Sequence, residues 1–211
     1  MKKMLSLEMI MELASQNVDA IKKSDGEMLE VFGENGQSLG FAPRFLCHRL
    51  GLIHPVVFLI IEDNQGRLLL QTRGDFNKRR FDLPVGGHMN VDDASPLDAL
   101  CREMKEEIGL EINKNDVKQI CSYTRKVRDD LKKPKEINCE KRYVFVYKVD
   151  ENQSGYILEH FKDRFEKEMV LEINWFSLDE IIENCDCSNV ADGLNATIPH
   201  YLMWKMNNCK K

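Results

Sequence analysis

The 211-residue sequence predicts an α/β fold with a mixed sheet packed between helices. Three observations carry the prediction. An apolar, β-branched run at Val56–Ile61 and a second run at Arg67–Thr72 flank Asn64-Gln65-Gly66, the pattern of a hairpin. A helix opened by Ser95-Pro96 and stopped by Gly109 follows. Strand-like runs at Val117–Tyr123, Arg142–Val149 and Leu171–Phe176 come after it, with helical patterns later still.

Taken in order, Ser6 to Ile21 reads as a helix because Leu7, Ile10, Met11, Leu13 and Ala14 recur at helical spacing, and Ser24-Asp25-Gly26 breaks it. Met28–Phe32 reads as a strand running into Glu34-Asn35-Gly36-Gln37, where Asn-Gly is a strong hairpin signal. Pro43–Leu50 fits a short helix. Phe81–Val85 continues in extended form into Gly86-Gly87, a glycine pair that opens a loop. Ser95 suits the N-cap and Pro96 the first helical position, while Gly109 suits the C-cap. Arg125 to Lys135 reads as a charged connection between its flanking strands. Trp175 falls in a strand and reads as core, Ser177 caps a short helix, and a last helix covers Ala196–Met206.

Composition narrows the function classes. The charged fraction of 31% and hydrophobic fraction of 43% describe an ordinary globule, and a net charge of -5 gives no general attraction to duplex nucleic acid or an anionic membrane. Small phosphorylated ligands need only local positive charge, so they stay open. Cysteines 47, 101, 121, 139, 185, 187 and 209 are odd in number and show no zinc-site spacing; reduced thiols in a cytoplasmic protein are expected. The N-terminus has no continuous apolar run, so neither a signal peptide nor a membrane span is expected.

The chemistry concentrates on the central helix. At about 100° per residue, Glu103, Glu106 and Glu107 fall within an arc of roughly 100°, apart from the apolar stripe Leu97, Leu100, Cys101, Met104 and Ile108. Like charges at this spacing repel, and a hard divalent cation relieves them. A solvated acidic face with Arg102 and Lys105 as partners is the competing reading of spacing alone. Basic residues Arg73, Lys78, Arg79 and Arg80 precede the helix and could clamp phosphate oxygens. His48, His54 and His88 each read singly as structural before functional.

The order of residues decides between these readings. Gly86-Gly87-His88, an acidic loop, Ser95-Pro96 and then Arg102-Glu103-Met104-Lys105-Glu106-Glu107-Ile108-Gly109-Leu110 resembles the Nudix box of the Nudix hydrolases. The resemblance implies an α/β/α sandwich with a mixed sheet, spanning residues 51–207 after an N-terminal extension of residues 1–50 with a helix and short hairpin. A segment so placed suits an accessory lid over substrate or a contact in a homodimer. The resemblance also implies Mg²⁺, with Mn²⁺ as substitute, held by Glu103, Glu107 and the Gly86 carbonyl, with Glu106 a further ligand or the base. Gly87, Arg102 and Asp93 hold the box in shape. In the family Arg102 pairs with a loop glutamate; here Ala94 takes that place in a loop one residue longer, and Asp93 is expected to take over the pairing.

Gly-Leu-Ile-His54, Gln71-x-Arg73 and Phe81-Asp82 ahead of Gly-Gly-His are similar to the isopentenyl-diphosphate-isomerase-like group of Nudix hydrolases. The isomerases of that branch hold a metal with histidines in this region and carry a cysteine just before their Gly-His. Gly86 stands there instead and supplies no thiol, which speaks against isomerisation. Arg73 and Lys78 are the favoured substrate contacts, and among Glu140, Glu168 and Glu172, each also suited to exposed surface, Glu140 leads as an added carboxylate. The reading is a pyrophosphohydrolase acting on a small diphosphate, a nucleoside diphosphate derivative. The alternatives are an isomerase and a non-catalytic module that binds a phosphorylated ligand.

Overall fold

A computed structural model describes residues 26–74, 79–129, 136–164, 170–184 and 188–208, together with Glu8 and Glu12. Apart from Glu8 and Glu12, both helical, the predicted helix from Ser6 to Ile21 lies outside the described residues, as do Lys78 and Glu168. The elements run β1 (Met28–Phe32), β2 (Ser38–Pro43), α1 (Arg44–Leu50), β3 (Ile53–Glu62), β4 (Leu68–Arg73), β5 (Arg80–Asp82), β6 (Val85–His88), α2 (Pro96–Glu107), β7 (Lys118–Asp129), β8 (Glu136–Lys148), α3 (Glu151–Arg164), β9 (Val170–Phe176), α4 (Leu178–Asn184) and α5 (Asp192–Asn208). The protein is α/β, and its chain divides into two compact units.

The first unit takes residues 1–56, 88–99 and 122–143. Its β1–β2 hairpin is antiparallel, with Met28 opposite Pro43 and Val31 opposite Gly40. The turn works because Gly36 sits at φ 82°, a region closed to most L-residues. Alternation along β1 turns Leu29 and Val31 inward onto Ala42 and Cys47. Burial pushes the Cys47 thiol up to about 12, which makes it a small core residue rather than a nucleophile. Helix α1 stops at Gly51 (φ 66°), where an added Cβ would come 2.8 Å from Ile137 Cγ2.

The second unit takes residues 57–87, 100–121 and 144–211. Strand β4 pairs antiparallel with both β5 and β9. Helix α5 packs on β5 and α3 on β9. A parallel bridge at Phe81 and Val190 adds to the antiparallel pairs. The β3–β4 turn is closed by Asp63, whose carboxylate accepts from the backbone N–H groups of Gln65 and Arg67 at 2.9 and 2.8 Å. Leu59, Ile60, Ile61, Leu68, Leu69, Leu100, Met104 and Ile157 are fully buried and form the apolar interior. Truncating one such side chain to alanine costs about 2–5 kcal/mol.

One buried polar group ties the last helix down. The Tyr201 hydroxyl donates to Glu62 Oε2 at 2.6 Å, and Lys205 Nζ donates to Glu62 Oε1 at 3.2 Å. Burial alone would push the Glu62 carboxyl up; the Tyr201 hydroxyl and the Lys205 and Lys148 ammonium groups hold it below its ordinary value. Tyr201→Phe removes the short donor while filling the same space. The expected result is a loss of about 1–3 kcal/mol in chemical denaturation, with Glu62→Gln added to the Tyr201→Phe protein recovering part of it.

Several elements depart from the sequence reading for local reasons. Gly86 and Gly87 lie within strand β6 rather than opening a loop. At Gly86 an added Cβ would come 2.7 Å from Phe58 Cδ1 and 3.2 Å from the Val57 carbonyl, so glycine lets two backbones approach. Strand β7 runs on to Asp129, so the first five residues of the predicted connection, Arg125 to Asp129, are strand; burial alternates from Cys121 to Arg128, and charges sit where that alternation allows. Helix α3 had no apolar period strong enough to show in sequence, yet Asp150 and Gln153 form a reciprocal cap at 2.8 and 3.1 Å. Helix α5 starts at Asp192, ahead of Ala196, and Trp175 is half-buried rather than core. No helix among the described residues is long and apolar enough to cross a membrane.

Candidate metal-binding and catalytic site

Helix α2 begins as its sequence dictates. The Ser95 hydroxyl accepts from the Asp98 N–H at 3.2 Å and donates to the Asp98 carboxylate at 2.5 Å, and Pro96 is the first helical residue. After Ile108 the chain turns at Gly109, φ 74°. Leu100, Met104 and Ile108 are buried, while Leu97 and Cys101 are half-buried. With the stripe so anchored, the three glutamates separate into two classes. Glu103 is 12% exposed and Glu106 57% exposed. Glu107 is turned toward β6, where its Oε2 accepts from the Gly86 N–H at 3.1 Å.

The inner pair forms a cradle for positive charge. Burial, then the Glu103 carboxylate, then Asp82 push the Glu107 carboxyl up to about 8, against the Gly86 N–H and Arg73, which pull it down. A Cβ added at Gly87 would land on the Glu103 carboxylate. Both carboxylates lie against the backbone of β6, and carboxylate oxygens are donors that Mg²⁺ or Mn²⁺ takes. The residues present fit such an ion, and Glu103 and Glu107 are the carboxylates that would hold it. Gly87→Ala is expected to leave the fold cooperative yet cut any metal-dependent turnover about 100-fold by displacing Glu103, read by circular dichroism beside a phosphate-release assay.

Arg102 Nη1 donates to Glu103 Oε1 at 2.8 Å and to Glu106 Oε2 at 3.1 Å. Asp93 Oδ2 accepts from the Asn90 N–H at 2.7 Å and so closes the loop before α2. Arg73 pairs with Asp82 at 3.3 Å. Asp82 is itself half-buried, 13% exposed, and also accepts from the Leu83 N–H at 2.9 Å. Arg79 pairs with Glu172 at 2.8 Å on the surface. Glu140, read as suited to exposed surface, is instead buried at 8% exposure, gripped by Arg142 through Nε at 2.8 Å and Nη2 at 2.6 Å. The pair was legible in principle, since residues i and i+2 of a strand share a face.

The first unit holds a cluster that single-residue reasoning missed. His48, His54 and His88 bring one ring nitrogen each to within 4.8 Å of one another. Each reads singly as structural, and the resemblance to the isomerase branch is what groups them; no short-range signal reports that His88 converges on positions 34 and 40 residues earlier.

With these geometries in hand, the protein can be set beside known ones. A family model for the NUDIX domain matches residues 52–194. The chain belongs to the Nudix family. It is 36% identical over 87 residues to an isopentenyl-diphosphate Delta-isomerase of Streptomyces griseus, covering 39% of this chain and 44% of that protein. It is 30% identical over 95 residues to an uncharacterized Nudix hydrolase of Streptomyces coelicolor, covering 44% and 52%. The matches thus span about half the length of these curated relatives. In fold it is similar to a crystal structure from Deinococcus radiodurans, with a TM-score of 0.56, 18% identity and coverage of 82% of this chain and 96% of that one.

Proposed function

We propose that the protein is a Mg²⁺-dependent pyrophosphohydrolase of the cytoplasm, acting on a nucleoside diphosphate derivative. The observation that carries the reading is the pairing of Glu103 and Glu107 on α2, with the Gly86 N–H fixing one and the bare Gly87 making room for the other. Family membership supports it. A bound divalent cation, Mg²⁺ or Mn²⁺, supplies charge neutralisation on the diphosphate and lowers the pKa of water. Glu103, Glu107 and the Gly86 carbonyl hold the ion. Glu106, on the same face and more exposed, accepts the proton as water oxygen bonds to phosphorus and the bridging P–O bond breaks. Arg102 orients Glu103 and Glu106. Residues 51–207 make up the catalytic domain in this reading, with residues 1–50 an extension.

Substrate contacts follow the same logic. Arg73 stays in place through Asp82 and is 29% exposed, and its guanidinium is the favoured contact for a phosphate oxygen. Lys78 completes the proposed set. The test is release of product from nucleotide-sugar, dinucleotide and nucleoside triphosphate substrates in Mg²⁺, comparing wild type with Glu103→Gln, Glu106→Gln and Glu107→Gln. Equal rates in all four proteins refute it.

A second reading is favoured by one observation, the 36% match to an isopentenyl-diphosphate Delta-isomerase. Gly86 cannot supply the thiol which that chemistry uses. Incubation with isopentenyl diphosphate settles the matter: an isomerised product without phosphate release replaces the hydrolase reading.

A further inference from the structure

Helix α5 begins without a capping side chain at its own N-cap. Its first intrahelical bond runs from the Asn195 N–H to the Ala191 carbonyl at 3.0 Å, which makes Ala191 the N-cap residue. Alanine has no side-chain oxygen for the orphan N–H groups of the first turn. An acceptor comes from another element. The Asp82 carboxylate on β5 takes the Leu194 N–H, the donor three residues on that an N-cap side chain ordinarily satisfies. Gly193 makes the approach possible, since a Cβ there would come 2.8 Å from Asp82 Oδ1. The backbone ahead of the helix is stitched to the same strand: the Phe81 N–H donates to the Asn189 carbonyl and the Ala191 N–H to the Phe81 carbonyl, each at 2.8 Å.

The same carboxylate faces the candidate site. Its Oδ2 accepts from Arg73 Nη1 at 3.3 Å, while Oδ1 accepts from the Leu83 N–H at 2.9 Å. The charges of Asp82 and Arg73 both act on Glu107, so the pair stands beside the inner acids of α2. A negative group at a helix N-terminus is held by the macrodipole as well as by its hydrogen bond. Asp82 is thus fixed by its own strand and by α5, and the Arg73 guanidinium meets a carboxylate that two elements hold. All of these residues belong to the second unit.

We propose that Asp82 is a positioning residue of the diphosphate site: a cap for α5 supplied from β5, it is fixed by the first turn of that helix and in turn sets where Arg73 meets phosphate. The role rests on the pyrophosphohydrolase reading, in which Arg73 contacts substrate. It goes beyond an ion pair between neighbouring strands, because it makes affinity for the diphosphate depend on how the last helix begins. Asp82→Asn loosens the clamp. The amide oxygen can stay on the Leu83 N–H, which turns the NH₂ group toward Arg73 and sets donor against donor. Arg73 then loses a charged partner, while the acids of α2 keep theirs.

The test is steady-state kinetics and thermal melting of the full chain carrying Asp82→Asn, alone and combined with Ala191→Ser or with Arg73→Gln. Asp82→Asn is expected to raise KM about 10-fold with little change in kcat. Ala191→Ser gives α5 a cap of its own, so it should recover the about 2–4 °C of Tm that a weakened cap costs and leave KM high. In the Arg73→Gln protein, adding Asp82→Asn should raise KM no further, because the effect passes through Arg73. If Asp82→Asn fails to fold, Gly193→Ala, which crowds Asp82 Oδ1 without touching a charge, carries the same comparison. An unchanged KM, a KM that Ala191→Ser restores together with Tm, or a full additional rise in the Arg73→Gln background overturns the proposal. Should wild type hydrolyse none of the substrates, the hydrolase reading falls by itself, and calorimetric affinity for the α,β-methylene analogue of ADP replaces KM in the same set of variants. Wild type that does not bind that analogue overturns both.

Discussion

Replacing Glu107 by glutamine is expected to lower kcat for diphosphate hydrolysis about 10²–10⁴-fold while the protein stays folded. The amide matches the carboxylate in size, and its oxygen can still accept from the Gly86 N–H, so β6 and α2 keep their spacing. What is lost is the negative charge facing Glu103. Glu103→Gln should be as damaging, because Glu103 is the other inner carboxylate and nearly as enclosed. Glu106→Gln should lower kcat with less effect on metal affinity, since Glu106 stands more in solvent and pairs with Arg102. Paired kcat and metal titrations separate the roles. If Glu106→Gln abolished metal binding while Glu103→Gln and Glu107→Gln left it intact, the division between inner and outer acids would be wrong.

The second large effect concerns pH and the ion together. In the metal-free protein, burial and the Glu103 charge push the Glu107 carboxyl up to about 8 from an ordinary 4.5. A carboxyl raised in the folded state favours folding while protonated. That contribution is complete below the unfolded value and is lost as pH rises through about 8. Metal-free protein should therefore lose on the order of 4 kcal/mol between pH 5 and pH 9, seen as a fall of about 10 °C in Tm. Glu107→Gln should flatten that slope. Mg²⁺ should restore the wild type most strongly at the alkaline end, because the ion binds only the deprotonated acid. A flat profile in wild type, or Mg²⁺ stabilising equally at pH 5 and pH 9, would count against a crowded inner pair.

How much could be read from sequence depended on how local the signal was. Helix α2 was legible because its start, stripe and stop are written within fifteen residues: Ser95-Pro96, then Leu100, Met104 and Ile108, then Gly109. The two early hairpins were legible from Asn35-Gly36 and Asn64-Gln65-Gly66 for the same reason. Helix α3 was not, because its start lies in an Asp150–Gln153 cap and its first two turns contain Ser154 and Gly155. The glycine pair misled in the other direction. Glycine marks a turn or a close approach, and only the position of Phe58 shows that Gly86 is the second case.

At the site, residue types were legible and pairings were not. Carboxylates at i, i+3 and i+4 share a helix face by geometry alone, but which of them is dry depends on β6. The Arg73–Asp82 pair depends on β4–β5 register, and the histidine triad on residues brought together over 40 positions. Such convergence is a property of the packed chain and has no short-range trace.

The central claim is that Glu103 and Glu107 jointly grip one divalent ion beside a bound diphosphate. A crystal of the protein grown with Mn²⁺ and a non-hydrolysable nucleoside diphosphate analogue tests it, because anomalous scattering locates manganese independently of the protein. The account predicts a manganese peak bonded to both carboxylates and to a phosphate oxygen. Analogue bound in order with no manganese at those two side chains would contradict it.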